Sequence, residues 1–87
     1  MKQITTSSGF SVEIDESRLN DMELFDALCE LTRGDRTALP TVVGKIMGGS
    51  KKALYEHLRA ENGTVPINAV EAEVVEIMQA LKSGKNS

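Results

Sequence analysis

Ser50-Lys51-Lys52-Ala53-Leu54-Tyr55-Glu56-His57-Leu58-Arg59-Ala60-Glu61-Asn62-Gly63-Thr64-Val65-Pro66-Ile67 is the stretch around which the chain is organised. It encodes a short basic helix, a hard turn and the launch point of a last helix. Ser50 is placed to accept hydrogen bonds from the first N–H groups of the turn that follows it. Leu54 and Leu58, four apart, share one face, and Lys51, Lys52 and Arg59 leave the rest wet. Asn62-Gly63 tolerates positive φ and stops the helix. Thr64-Val65-Pro66 runs extended, because a residue before proline avoids the α region. Nothing in this stretch is arranged for catalysis; it reads as a scaffold that presents a surface.

Working outward to the N-terminus, Lys2–Thr6 favours β structure, and Phe10-Ser11-Val12-Glu13-Ile14 alternates with Phe10, Val12 and Ile14 on one face. Ser7-Ser8-Gly9 between them is a hairpin signal. Two strands alone are marginal in water, so this hairpin must lay its apolar face on helices. Asn20-Asp21-Met22-Glu23 predicts a capping box, with Leu19 and Leu24 as its staple. The first helix is expected over 21–33, burying Leu24, Phe25, Leu28 and Leu31 and closing at Gly34. Asp35 or Thr37 caps the next, with Pro40 in its first turn, where a missing N–H costs little. Leu39, Val42, Val43, Ile46 and Met47 are its buried side, Gly48-Gly49 ends it, and Gly44 marks a close approach of helices.

Downstream of the central stretch, Asn68 and Glu71 predict a second capping box. Val70, Val74, Ile77 and Leu81 form a stripe, with Glu71, Glu73 and Glu76 outside it, and Gly84 ends the helix. The expected fold is α+β, an N-terminal β-hairpin packed on a bundle of about four short helices. It forms one compact domain over residues 1–84, with 85–87 as a polar tail.

Composition bounds the function. A chain of 87 residues buries only about 60–65% of its unfolded surface, so its core is small and a partner would help it. With 3% aromatics and no tryptophan the core is aliphatic, and the exposed rings of a base-stacking platform are missing. Cys29 is the single cysteine, so no internal disulfide forms and the residue reads as a small core hydrophobe. Met1–Thr6 has no signal-peptide-like apolar run, and no window is long and apolar enough for a membrane span, which makes the cytoplasm the expected location. The net charge of −3 is unevenly laid out: residues 11–35 carry two basic and eight acidic groups, residues 36–60 five basic and one acidic. Such a dipolar layout suits protein–protein steering or self-association to a homo-oligomer better than phosphate binding.

Reactive chemistry finds no constellation. His57 lies between Leu54 and Leu58 as a boundary residue, and with Cys29 it cannot supply the roughly four ligands of a zinc site. No catalytic, metal or cofactor-binding residues are expected. Gly44-Lys45-Ile46-Met47-Gly48-Gly49-Ser50-Lys51 superficially matches a phosphate loop, but lysine and serine stand in the wrong order and a helix precedes it. Asn62-Gly63-Thr64 fits a glycosylation acceptor, yet without a signal peptide it is a turn. The strongest rival reading is a small helix-turn-helix DNA-binding regulator over Val42–Leu58, with a glycine at the turn and lysines opening the second helix. Against it, Gly49 stands where such turns carry a docking apolar residue, and the acidic first helix and overall charge oppose DNA.

Laid out in full, the chain resembles the small tail assembly chaperones encoded by long-tailed bacteriophages and prophages of Gram-positive bacteria. The likeness is carried by the hairpin ending Phe10-Ser11-Val12-Glu13-Ile14, then Asn20-Asp21-Met22-Glu23-Leu24, Leu39-Pro40, Lys52-Ala53-Leu54-Tyr55-Glu56-His57-Leu58-Arg59, Asn62-Gly63-Thr64-Val65-Pro66 and a final acidic-apolar helix. The resemblance implies a non-enzymatic protein of the bacterial host's cytoplasm. Such a protein binds the tape-measure protein, a very long, largely helical chain, and keeps it soluble while tail-tube protein assembles around it. In many such phages a ribosomal frameshift adds a second domain that recruits tail-tube subunits, and this chain would correspond to the shorter product. The family supplies no motif that fixes binding positions. On the residues alone, Lys51, Lys52, Tyr55 and Arg59 are the candidates for polar contacts with a protein client, and spare apolar residues of the last helix for burial.

Overall fold

Alternation sets the N-terminal hairpin. In a computed structural model that describes residues 1–83, β1 (Lys2–Thr5) and β2 (Ser11–Ile14) pair antiparallel, with Ile4 opposite Val12 and Lys2 opposite Ile14. Opposed residues share a face, so Ile4, Val12 and Ile14 are buried together, and Phe10 and Thr6 extend that face into the turn. Gly9, at φ 92°, supplies the left-handed residue the turn requires.

The helical part comprises α1 (Met22–Thr32), α2 (Leu39–Met47), α3 (Lys51–Leu58) and α4 (Ile67–Ser83), with 3-10 turns at Glu16–Leu19, Arg36–Ala38 and Gly48–Ser50. The architecture is thus α+β, but the bundle of about four separate helices resolves, among the described residues, into three helical units. Residues 36–58 are helical without an intervening loop, so α2 and α3 are two arms of one bent run. The bend sits at Gly48, whose φ of 54° and ψ of −126° redirect the chain without ending it. Positions 84–87, where the helix stop and polar tail are expected, lie outside the described residues.

One aliphatic core joins all the elements: the inner face of the hairpin, Leu24 and Ala27 of α1, Leu39, Val42, Val43, Ile46 and Met47 of α2, Leu54 of α3 and the stripe Val70, Val74, Ile77, Leu81 of α4. The five α2 positions and the α4 stripe stand as their spacing dictates.

Several local expectations are corrected. Asp21, not Asn20, caps α1, accepting from the Glu23 N–H at 2.9 Å. The Glu23 carboxylate does not reach back; it takes the Lys45 ammonium at 2.6 Å. Phe25 is 58% exposed and Ala27 occupies the inward position, because the buried arc follows Leu24, Ala27, Leu28 and Leu31. Ser50 makes no side-chain cap, since α3 continues a helical run in which the Lys51 N–H already bonds to the Gly48 carbonyl. A side chain at Gly44 would meet nothing nearer than the Lys51 ammonium at 4.0 Å, so no close helix approach occurs there. α4 begins at Ile67, one residue before the expected Asn68, with the Val70 N–H donating to the Pro66 carbonyl, and Glu71 pairs with Arg36 instead of capping. Glu73, expected outside the stripe, is only 5% exposed, and its Oε1 has no hydrogen-bond partner among the described residues.

Candidate protein-binding groove

An apolar groove of about 320 Å³ opens where the first turn of α2, the middle of α3 and the start of α4 converge, lined by Leu39, Pro40, Tyr55, Val65, Ile67 and Val70 with Arg36 at its edge. Each wall has a local cause. Asp35 accepts hydrogen bonds from the Thr37 N–H at 3.1 Å and from the Thr37 hydroxyl, which starts the helical run and, with Pro40 in its first turn, sets Leu39 and Pro40 in place. The far wall comes from the turn after α3. Arg59 turns extended, the Ala60 N–H donates to the Thr64 carbonyl at 2.8 Å, and Gly63 takes φ 90°. Asn62 Oδ1 accepts from both the N–H and the hydroxyl of Thr64. Val65-Pro66 therefore leaves that turn in a fixed direction and presents Ile67, 56% exposed, at the groove mouth.

Of the four residues singled out from sequence, three come together. Lys51 and Lys52 border a shallow basin of about 350 Å³ with Gly48, Gly49 and Tyr55, and Tyr55 also lines the groove. The Lys51 ammonium lies 5.9 Å from the centroid of the Tyr55 ring, within reach of a cation–π attraction. Arg59 faces a different task. Its guanidinium pairs with Glu56 at 2.7 Å and donates to the Gly63 carbonyl at 2.7 Å, tying the end of α3 to the turn. The hydrogen bond to Glu56 raises the Arg59 pKa, and the same bond lowers that of Glu56. The apolar walls Val65 and Ile67 carried no sequence signal beyond the extended segment before α4, whereas Leu39 and Val70 read as plain core.

A second apolar surface lies on α1, where Leu19, Leu24, Phe25, Leu28 and Met78 line a cleft of about 200 Å³ with Lys82. Met22, 65% exposed, continues it.

The remaining sequence candidates serve the scaffold. His57 Nε2 lies 3.1 Å from the Ser8 hydroxyl and 3.2 Å from its carbonyl, and the ring rests 5.3 Å from that of Phe10. Glu76 accepts from the N–H and hydroxyl of Ser7, so α3 and α4 both grip the hairpin turn. Cys29 is half-buried with a free thiol. Among the described residues, no three of His, Cys, Asp and Glu gather as metal ligands, and no helix is long and apolar enough to cross a membrane. No protein-family model, curated protein or solved structure matches the chain.

Proposed function

We propose that this chain is a non-enzymatic phage tail assembly chaperone that binds the tape-measure protein and keeps it soluble during tail assembly. The observation that supports it most is the open groove at Leu39, Pro40, Tyr55, Val65, Ile67 and Val70. A solvent-facing apolar channel between helices is what an amphipathic helix needs to bury its stripe. The client is a very long helical chain, so many copies bound along it gain avidity while each contact stays weak. Recruitment of tail-tube protein belongs, on this reading, to a frameshift-extended longer form.

The DNA-binding alternative loses ground to the charge inventory of 36–60. Arg36, Lys45 and Arg59 are each held by a carboxylate, which leaves Lys51 and Lys52 for phosphates. Two such contacts give weak, salt-sensitive binding. Co-expression with the tape-measure protein tests the proposal: the client should become soluble and co-purify with the chain, and an Ile67→Ser variant should lose it. A client that stays insoluble beside the wild-type chain defeats the proposal.

A further inference from the structure

The groove and the lysine basin meet at Tyr55, and this corner differs in charge from the rest of its segment. Arg36 is held by Glu71 at 3.1 Å, Lys45 by Asp21 at 3.3 Å and Glu23 at 2.6 Å, and Arg59 by Glu56 at 2.7 Å. Among the described residues, Lys51 and Lys52 make no ion pair. Both border the basin; among the described residues no carboxylate lines either the groove or the basin, and Glu71, which meets Arg36 at the groove edge, and Glu56, which feels Lys52, are already paired with arginines. Lys51 is half-buried with its ammonium near the Tyr55 ring, so less side-chain freedom is lost when it meets a partner.

We infer that the groove takes an acidic amphipathic helix, whose apolar stripe lies between Leu39, Pro40, Val65 and Ile67 while carboxylates flanking that stripe meet Lys51 and Lys52. Residues three and four apart on a helix are neighbours about 5–6 Å apart, so a Glu or Asp beside each buried apolar residue falls over the adjoining basin. A basic helix in the same place would set its ammonium groups against two lysines with no carboxylate among the described lining residues to offset them, a like-charge penalty that acts as selection. This inference rests on reading the groove as a helix acceptor, and adds the chemistry of the helix.

The test uses the full chain and two dye-labelled helical peptides of about 18 residues, five turns, with the same leucine stripe flanked by glutamates in one and lysines in the other. Fluorescence anisotropy should show the glutamate peptide binding in preference to the lysine peptide, with an affinity that falls as salt rises. The double variant Lys51→Glu/Lys52→Glu, with its fold checked by circular dichroism, should weaken the glutamate peptide by about tenfold or more and improve the lysine peptide. Ile67→Ser should weaken the glutamate peptide without changing its salt dependence. Equal binding of both peptides, no binding of either, indifference to the charge reversal, or duplex DNA retarded through these lysines in a gel shift would each overturn the inference. If the glutamate peptide behaves as expected and the tape-measure protein does not co-purify, the proposed function fails and this inference stands. If the client binds and the peptides do not discriminate, the reverse holds.

Discussion

Gly48 is the position at which one methyl group should do most harm for its size. Its backbone, at φ 54° and ψ −126°, lies where side chains other than hydrogen are strained. Forcing alanine there costs about 1–3 kcal/mol. A Cβ would also stand 2.5 Å from Arg18 Nη2 and 2.8 Å from its Cζ. The arginine is the flexible party and can swing away, so the clash itself is cheap to relieve. Relief nonetheless breaks the bond from Arg18 Nη1 to the Lys45 carbonyl, 3.2 Å long, which covers the C-terminal end of α2. That adds about 0.5–1 kcal/mol at an exposed site. Gly48→Ala should therefore destabilise by about 1.5–4 kcal/mol, or roughly 6–32 °C in Tm for a domain of this size.

Gly49 is the internal control. An added Cβ there meets nothing within 4 Å and its φ is not left-handed, so Gly49→Ala should be neutral or stabilising by up to about 1 kcal/mol. Urea unfolding followed at 222 nm gives both values. Arg18→Ala alone should cost only its hydrogen bond, and Arg18→Ala/Gly48→Ala should cost less than the sum of the two, because the bond is lost once. Equal midpoints for the Gly48 and Gly49 variants would refute the strain argument; strict additivity would refute the coupling to Arg18.

Adjacent residues of α1 should respond very unequally to truncation: Leu24→Ala, at a position 1% exposed, should cost about 2–5 kcal/mol, and Phe25→Ser, at 58% exposure, less than about 1 kcal/mol. Similar losses in urea unfolding would mean that Phe25 is buried in solution. Glu73→Met removes a carboxyl oxygen that is buried without a partner, so it should be neutral or stabilising by about 1 kcal/mol, and a loss above about 1 kcal/mol by the same measure would show that Glu73 has a partner. Stability should also fall at both pH extremes. Asp15 is lowered chiefly by the Ser17 N–H and Glu56 by Arg59; for Asp21, burial pulls upward but the Glu23 N–H and Lys45 outweigh it. These lowered carboxylates stabilise above their ordinary 3.8 and 4.5, and that contribution is lost as pH falls through the folded values. Lys45, raised by Glu23 and then by Asp21, stabilises fully below its ordinary 10.5, and the contribution is lost as pH rises through the higher folded value. Lys45→Met should shrink both limbs of the urea-midpoint profile, and an unchanged profile would refute the assignment.

The hairpin and the helical stripes were legible because period-2 and period-3.6 patterns are properties of neighbouring residues, and Ile4, Val12, Val42, Ile46, Val74 and Ile77 obey them. What went astray was decided at long range. Asn20 and Asp21 are both good caps, and the choice between them is made with Lys45, more than twenty residues away, which draws in Asp21 and Glu23 together. Glu73 borders the α4 stripe and reads as solvated from spacing alone, yet it is buried in the fold. Glu76, one turn later, holds Ser7, so the hairpin turn lies along that flank of α4. For the groove, spacing on α3 brought out Lys51, Lys52 and Tyr55. The apolar walls come from three segments that only the folded chain brings together, and Arg59, which spacing grouped with them, was claimed by Glu56.

The bend at Gly48 connects these observations. Were 36–58 a straight α-helix, Leu39 and Tyr55 would stand about 24 Å apart along one axis, sixteen residues at 1.5 Å each. Instead they line the same groove, because the glycine turns α3 back across the first turn of α2. The Arg18 bond to the Lys45 carbonyl, at the end of α2 where the bend begins, supports that geometry from outside the groove. Gly48 thus serves both stability and the binding surface, and a substitution there that still folds should lose more affinity for the glutamate peptide than Gly44→Ala or Gly49→Ala. Loss of stability alone, with peptide affinity intact in the folded fraction, would show that the groove does not depend on the bend.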